Sequence, residues 1–368
     1  MKNLVRSLLV AALIFGTALP AFAQQASLNG QEGDNKSTTQ QSGSSTSGDS
    51  NAGQIVGTVS SGKTSVDATN STDHADISTG DARGSNENAS LTGQNVSFVT
   101  FIDNLEAADT ASIFSINLQE GDNKTDTVQM ATIKSGDGIG GQVIGVVTSA
   151  GGSSAVTAAN TSKNVDVSTG DARAAQIASS FTGQDLSFFT GVGAFFADVL
   201  AVGPAFNLQE GNNITRDAQT VTATSGDGVA GQVLGVVSAG ASSVDATNSS
   251  QNVDLSTGDA RATNALAAFT GQDLSLVTDL VAADVLNNTF AVNVQEGDNK
   301  STPTQTITTT SGDAVGGQVA GIVSAAGGSA DVVLANTSST IDASSGDSRF
   351  TNTSKTLIGQ VVSIFVFV

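Results

Sequence analysis

One hexapeptide constrains this chain more than its composition does. Ser-Thr-Gly-Asp-Ala-Arg occupies positions 78–83, 168–173 and 256–261, and returns as Ser-Ser-Gly-Asp-Ser-Arg at 344–349. Around each copy the spacing is fixed. An Asn precedes the Asp at one constant interval (Asn70, Asn160, Asn248, Asn336), and a Gln follows it at another (Gln94, Gln184, Gln272, Gln360). Each block is preceded by a Gln-Glu-Gly-x-Asn segment starting at Gln31, Gln119, Gln209 or Gln295, by a Ser-Gly-Asp, and by a Gly-Gln whose Gln is Gln54, Gln142, Gln232 or Gln318. The chain is therefore one unit of about 88 residues written four times.

The exceptions to the spacing select the secondary structure. The interval from the first Gln to the Gly-Gln, as in Gln31 to Gln54 and Gln119 to Gln142, is identical in all four units. So is the interval from the Asn to the closing Gln, as in Asn70 to Gln94 and Asn160 to Gln184. Two intervals do vary. Gln142 to Asn160 is longer than Gln54 to Asn70 by two positions, and Gln184 to Gln209 is longer than Gln272 to Gln295 by two. A change of two keeps each strand side chain on its own face, whereas in a helix it would turn the face by about 200°. The pattern predicts an all-β chain, a repetitive β-solenoid of four tandem repeats. The divisions are 1–23 (signal peptide), 24–113, 114–203, 204–289 and 290–368, the last truncated and ending in an apolar strand. Amides also recur at a finer, nearly even spacing through Gln119, Gln142, Asn164, Gln184 and Gln209, which suggests four coils per unit and sixteen in all. At about 4.8 Å per coil that is a rod of roughly 75 to 80 Å. The candidates for side-chain ladders along such a rod are Gln119, Asn123, Gln142, Asn160, Asp171, Arg173, Gln184, Gln209, Gln232, Asn248, Asp259, Arg261 and Gln272.

Composition narrows the function classes. Lys2 and Arg6, a short apolar run and Ala21-Phe22-Ala23 read as a bacterial secretory signal, so the protein is expected to be exported to the cell surface or beyond. There is no Cys, Trp or Tyr, so thiolate metal sites and Cys nucleophiles are excluded. The net charge of -20 argues against nucleic acid as a partner. Three apolar stretches, 96–114, 186–206 and 274–292, are each interrupted by an Asp and do not read as membrane helices; Ala-rich pieces such as 195–202 suit short helices packed on the solenoid. An integral membrane protein is not expected.

The candidate sites read as structural. Asp259 and Arg261 share a strand face, and four of the six Arg residues hold this position, which suggests an ion-pair ladder between coils or subunits. The Gly-Asp turns place Asp49, Asp137, Asp227 and Asp313 in one row and Asp81, Asp171, Asp259 and Asp347 in another. Calcium needs six to eight oxygens around one centre, and Asp in a glycine turn is ordinary turn chemistry, so no cofactor is expected and calcium stays a minor alternative. His74, the only His, has no nucleophile patterned with it, and no catalytic constellation stands out, so the chain does not read as an enzyme.

The segment Ser115-Ile116-Asn117-Leu118-Gln119-Glu120-Gly121-Asp122-Asn123, closed by Gln129, resembles the curlin repeat of secreted functional-amyloid proteins, a Gln-x-Gly-x-x-Asn strand-turn-strand unit; here the Asn and the closing Gln each come one residue early. The resemblance implies a self-assembling extracellular fibre or biofilm-matrix subunit. The final run, Val361, Val362, Ser363, Ile364, Phe365, Val366, Phe367 and Val368, is apolar, β-prone and uncharged, and is the expected head-to-tail contact with a second copy or with an envelope assembly partner. The alternative is an adhesin or binding module for glycan, calcium or ice, for which the Thr-rich run 304–310 is the best support.

Overall fold

In the computed structural model, residues 24–61, 65–102, 112–149, 154–192, 201–239, 242–280, 291–325 and 331–367 are described. They form twenty strands. The first repeat supplies β1 (Gln24–Glu32), β2 (Asn35–Thr46), β3 (Ser50–Ser61), β4 (Val66–Ser78) and β5 (Ala82–Ile102). The second supplies β6 (Ser112–Glu120), β7 (Asn123–Lys134), β8 (Gly138–Ser149), β9 (Ser154–Ser168) and β10 (Ala172–Val192). The third supplies β11 (Ala201–Glu210), β12 (Asn213–Thr224), β13 (Gly228–Ala239), β14 (Ser242–Ser256) and β15 (Ala260–Leu280). The fourth supplies β16 (Ala291–Glu296), β17 (Asn299–Thr310), β18 (Ala314–Ala325), β19 (Asp331–Ser344) and β20 (Ser348–Phe367).

Each strand pairs only with its equivalents in the neighbouring repeats, in parallel and in register apart from one shift between Val202 and Ala205 of β11, giving five four-stranded sheets. Gln31 lies opposite Gln119, Gln54 opposite Gln142, and Arg173 opposite Arg261. The fold is thus a repetitive β-solenoid in which one whole repeat makes one coil. This corrects the expectation of four coils per repeat and a rod of roughly 75 to 80 Å: there are four coils, and the stack is about 19 Å deep at the usual strand spacing. The closely spaced amides lie on different sheets of the same coil, and the stacking period is the repeat itself.

The coil is flat. Its second strand faces the fifth and its third faces the fourth, so three strands run out and two longer ones return. Alternation along each strand sends every second side chain inward. Three apolar columns result. Ile144, Val146, Val156 and Leu234 lie between the third and fourth sheets. Val165, Val167 and Leu255 form a second column and Ile133, Ala174 and Val221 a third. Elsewhere the interior mixes apolar residues such as Leu266 and Ala178 with many polar ones, among them Gln129, Asn160, Gln176 and Gln219 at most 1% exposed.

Glycine appears where backbone geometry requires it. Gly33, Gly121, Gly211 and Gly297 turn the first strand into the second with φ between 112° and 126°, a region that L side chains rarely adopt. The fourth strand bends at a non-glycine residue of φ 53° to 58° in every coil: His74, Asn164, Asn252 and Thr340. Where the stretches 96–114, 186–206 and 274–292 are described they are strand, not helix; the rest of them and the leader at 1–23 lie outside the described residues. Among the described residues no helix is long and apolar enough to cross a membrane.

Candidate functional site

The corners of the coil bind the stack together. At the Ser-Gly-Asp and Thr-Gly-Asp corners, the backbone N–H of each Asp donates to the carboxylate of the equivalent Asp one coil below. Asp137 donates to Asp49 (2.9 Å), Asp227 to Asp137 (3.0 Å) and Asp313 to Asp227 (2.9 Å). Asp171 donates to Asp81 (2.9 Å), Asp259 to Asp171 (2.8 Å) and Asp347 to Asp259 (2.8 Å). The Arg of the hexapeptide takes the other carboxylate oxygen of its own coil, as in Arg83–Asp81 (2.7 Å), Arg173–Asp171 (2.5 Å), Arg261–Asp259 and Arg349–Asp347 (2.5 Å). The ion pair therefore sits within each coil, and the hydrogen bond from the next backbone provides the link between coils. The donated N–H of Asp171 and the Arg83 guanidinium hold Asp81 below the usual carboxylate value, and the Asp347 N–H with Arg261 does the same for Asp259.

The corner glycines are forced by stacking. A Cβ at Gly136, Gly226 or Gly312 would lie 2.1, 1.9 or 1.9 Å from the carbonyl oxygen of the equivalent glycine below. At Gly170, Gly258 and Gly346 the distances are 2.3, 2.3 and 2.2 Å. The hydroxyls of Thr79, Thr169 and Thr257 donate to the carbonyls of Gly136, Gly226 and Gly312 in the coil above, tying one corner to the other between layers.

Inside, amides ladder up the axis. Gln129 donates to Gln41 (2.7 Å), Gln219 to Gln129 (2.8 Å) and Gln305 to Gln219 (2.8 Å). Asn35, Asn123, Asn213 and Asn299 form a second ladder with 2.8 Å bonds, into which Gln119 and Gln209 each donate from their own coil at 2.5 Å. Gln232 donates to Gln142 (3.1 Å) and Gln318 to Gln232 (2.8 Å). Asn160 and Asn248 span the layers by donating to the backbone carbonyls of Gln142 and Gln232, while their own side-chain oxygens are buried without a partner. Gln184 and Gln272 pair through the backbone of the fifth sheet; their side chains fall outside the described ones. A narrow cavity of about 220 Å³ follows the Gln142 ladder between the third and fourth sheets. It is lined by Gly140, Gln142, Ser162 and Val165 with their equivalents, and has room for about seven waters at ~30 Å³ each.

Some residues were not singled out from sequence. Asn86, Gln176 and Asn264 occupy one register position in the fifth sheet, and Gln176 and Asn264 are fully buried there. Asp217 is an isolated buried acid where the coil below has Thr127 and the coil above has Pro303. Ser180 donates to one of its oxygens at 2.9 Å, the other has no partner, and burial raises its pKa. Asp76, Asp166, Asp254 and Asp342 stack on the outside of the fourth sheet; partial burial, then the charges of Asp254 and Asp76, raise the pKa of Asp166. Comparing positions one whole repeat apart, rather than successive amides, is the signal that would have found the first two.

The C-terminal run lies in β20, where Val361, Val362, Ile364, Phe365, Val366 and Phe367 pair in register with Asp273 to Asp279 of β15; Val368 is outside the described residues. Among the described residues no group of three acidic or imidazole side chains is arranged to hold a metal ion. No family model, no curated protein and no solved structure matches this chain.

Proposed function

We propose that this is an exported structural protein whose copies stack end to end into a fibre that continues the solenoid. The observation that carries the reading is a pair of glycines. In the upper three coils the corner glycines are required because the coil below occupies the space of a Cβ. Coil 1 keeps glycine at both corners, Gly48 and Gly80, yet no described atom lies within 4 Å of a Cβ at Gly48, and at Gly80 the nearest is a side-chain carbon of Ser47 at 4.0 Å. Neither residue has positive φ. Their retention makes sense if another coil packs beneath.

The two ends complement each other. All five sheets end on a coil 1 strand at one side and a coil 4 strand at the other. Coil 1 turns downward the same N–H groups that, in the coils above, donate from Gly136 to Ser47 (2.7 Å) and from Asp137 to Asp49. Coil 4 carries Ser311, Asp313 and Asp347 where the lower coils have the accepting side chains. Open strand edges of this extent favour pairing with a further copy.

Gly48→Ala is the test, with Gly226→Ala beside it. Gly48→Ala leaves the melting temperature of the dispersed protein unchanged or slightly raised and slows fibre growth, followed by light scattering and electron microscopy. Gly226→Ala destabilises the protomer itself. Fibre growth of Gly48→Ala at the parental rate overturns the reading.

A second reading has one observation behind it. Thr306, Thr308 and Thr310 project outward in register above Thr220, Thr222 and Thr224, giving a flat array of hydroxyls on the second sheet. That array favours a binding module for glycan or ice; thermal-hysteresis and glycan-array measurements on dispersed protein distinguish it.

A further inference from the structure

The outer face of the third sheet has a composition that the fold does not explain. In coil 2 its outward residues are Ile139, Gly141, Val143, Gly145 and Val147. Val143 stands in register with Ile55, Val233 and Val319. Val147 does so with Val59, Val237 and Val323. These make apolar ridges running parallel to the stack, with Ile55 and Val59 exposed at 81% and 84% and Val233 and Val237 at 44% and 46%. No charged residue occupies an outward position of β3, β8, β13 or β18. Between the ridges lie troughs of glycine, one of which is Gly57, Gly145, Gly235 and Gly321.

Nothing within the protomer accounts for that trough. All four glycines have ordinary φ, and a Cβ on any of them would meet no described atom within 4 Å. Glycine weakens a strand, and a strand glycine without a backbone reason marks a place where another surface comes close.

We propose that this face packs against the same face of a second copy, about a twofold axis parallel to the stack. The sequence is self-complementary under that operation. Setting Val143 of one copy over Gly145 of the other sets Val147 over Gly141, and the reciprocal contacts follow. The same rule holds in the other coils: Ile55 over Gly57 and Val59 over Gly53, and likewise through coils 3 and 4. Ridges enter troughs on both sides, as an isologous interface requires. Because the axis runs along the stack, each coil meets its own equivalent.

Size and charge favour this occupant. Four strands at about 4.8 Å by about ten positions at about 3.3 Å give roughly 630 Å² per copy. The total of roughly 1,250 Å² reaches the lower end of stable interfaces. With a net charge of -20 the molecule is repelled by nucleic acid and by anionic membranes, and like-charged copies approach best through an uncharged face. The pairing is lateral and does not depend on end-to-end stacking.

The test fills the trough. Gly145→Val with Gly235→Val adds side chains where each protomer has room, so the melting temperature stays level or rises. Lateral pairing, read by sedimentation velocity of the dispersed protein, weakens at least tenfold. Val143→Lys with Val233→Lys, which leaves the trough open, weakens it similarly. Gly48→Ala, which targets the stack ends, leaves it intact, so failure of the fibre reading and failure of this one are distinguishable. A parental protein that stays monomeric at about 100 µM, pairing unaffected by both double variants, or attachment to zwitterionic vesicles in place of pairing would each overturn the proposal.

Discussion

At the scale of single residues, stability rests on how few groups are left unmatched. Asp217 is the clearest exception, 2% exposed with one oxygen unpartnered. Its raised pKa means that the native carboxyl holds a proton more readily than the unfolded one. Ionisation therefore costs stability, and the cost grows as pH rises from the unfolded carboxylate value through the raised one. Asp217→Thr, the residue of the coil below, is expected to raise stability at pH 7 by about 1–3 kcal/mol. The gain shrinks as pH falls through the raised value and is smallest below about pH 4, where the unfolded carboxyl is protonated too. Denaturant melts at pH 7 and pH 3.5 check both statements, and a variant less stable at pH 7 defeats them. The corner carboxylates have the opposite sign. Asp81 and Asp259 are held below their usual value, so their contribution is complete above about pH 4 and is lost as pH falls through the lowered values. A further residue-scale outcome concerns the bend in the fourth strand. Thr340 is β-branched at φ 54°, whereas coils 2 and 3 use Asn. Thr340→Asn is expected to stabilise by about 1 kcal/mol, read by thermal melting, because Asn visits that region at lower cost than a β-branched residue.

At the scale of strands, the ladders matter more than any one bond in them. Gln219 donates to Gln129 and to the Ala265 carbonyl, and accepts from Gln305. Gln219→Ala orphans buried groups in two coils and is expected to cost about 2–3 kcal/mol. Gln41→Ala, at the exposed end of the same ladder, costs much less, and equal losses in chemical denaturation would contradict the ladder. The strands of the repeat framework were legible in the sequence, because changes of two residues in the spacing preserve a strand face and would turn a helical one. The recurrence of Gln, Asn and Asp at matching positions of every repeat was legible as well, but the residues that meet lie one whole repeat apart, as Gln142 with Gln232 does, and not one amide to the next. The size of the coil was not. Amides at Gln119, Gln142, Asn164 and Gln184 mimic a short period because each sheet of one coil carries its own ladder, and sequence spacing does not distinguish neighbours along a coil from neighbours up the stack. Asp217 escaped notice for a related reason. Its meaning comes from the Ser180 hydroxyl that donates to it, which lies on a facing strand, and from Thr127, which holds its position one coil below; neither is its neighbour in sequence.

At the scale of the molecule, a coil by itself has no sheet. Every strand finds its backbone partners in another repeat and none in its own. Residues 204–290 expressed alone are therefore expected to show no cooperative thermal transition by circular dichroism; a sharp melt would mean that the repeats are independent domains. The same feature governs the timing of folding. Paired residues lie 86 to 90 positions apart, as in Asn213 with Asn299 and Asn123 with Asn213. Pairing at such separations makes loop closure a large part of the barrier, so folding is expected to be slow. The first strand has no partner until Ser112 is present, so a chain emerging from synthesis stays unpaired until its second repeat begins. Such a chain is available to be threaded outward while still unfolded, and its first pair closes only when the second repeat has followed it.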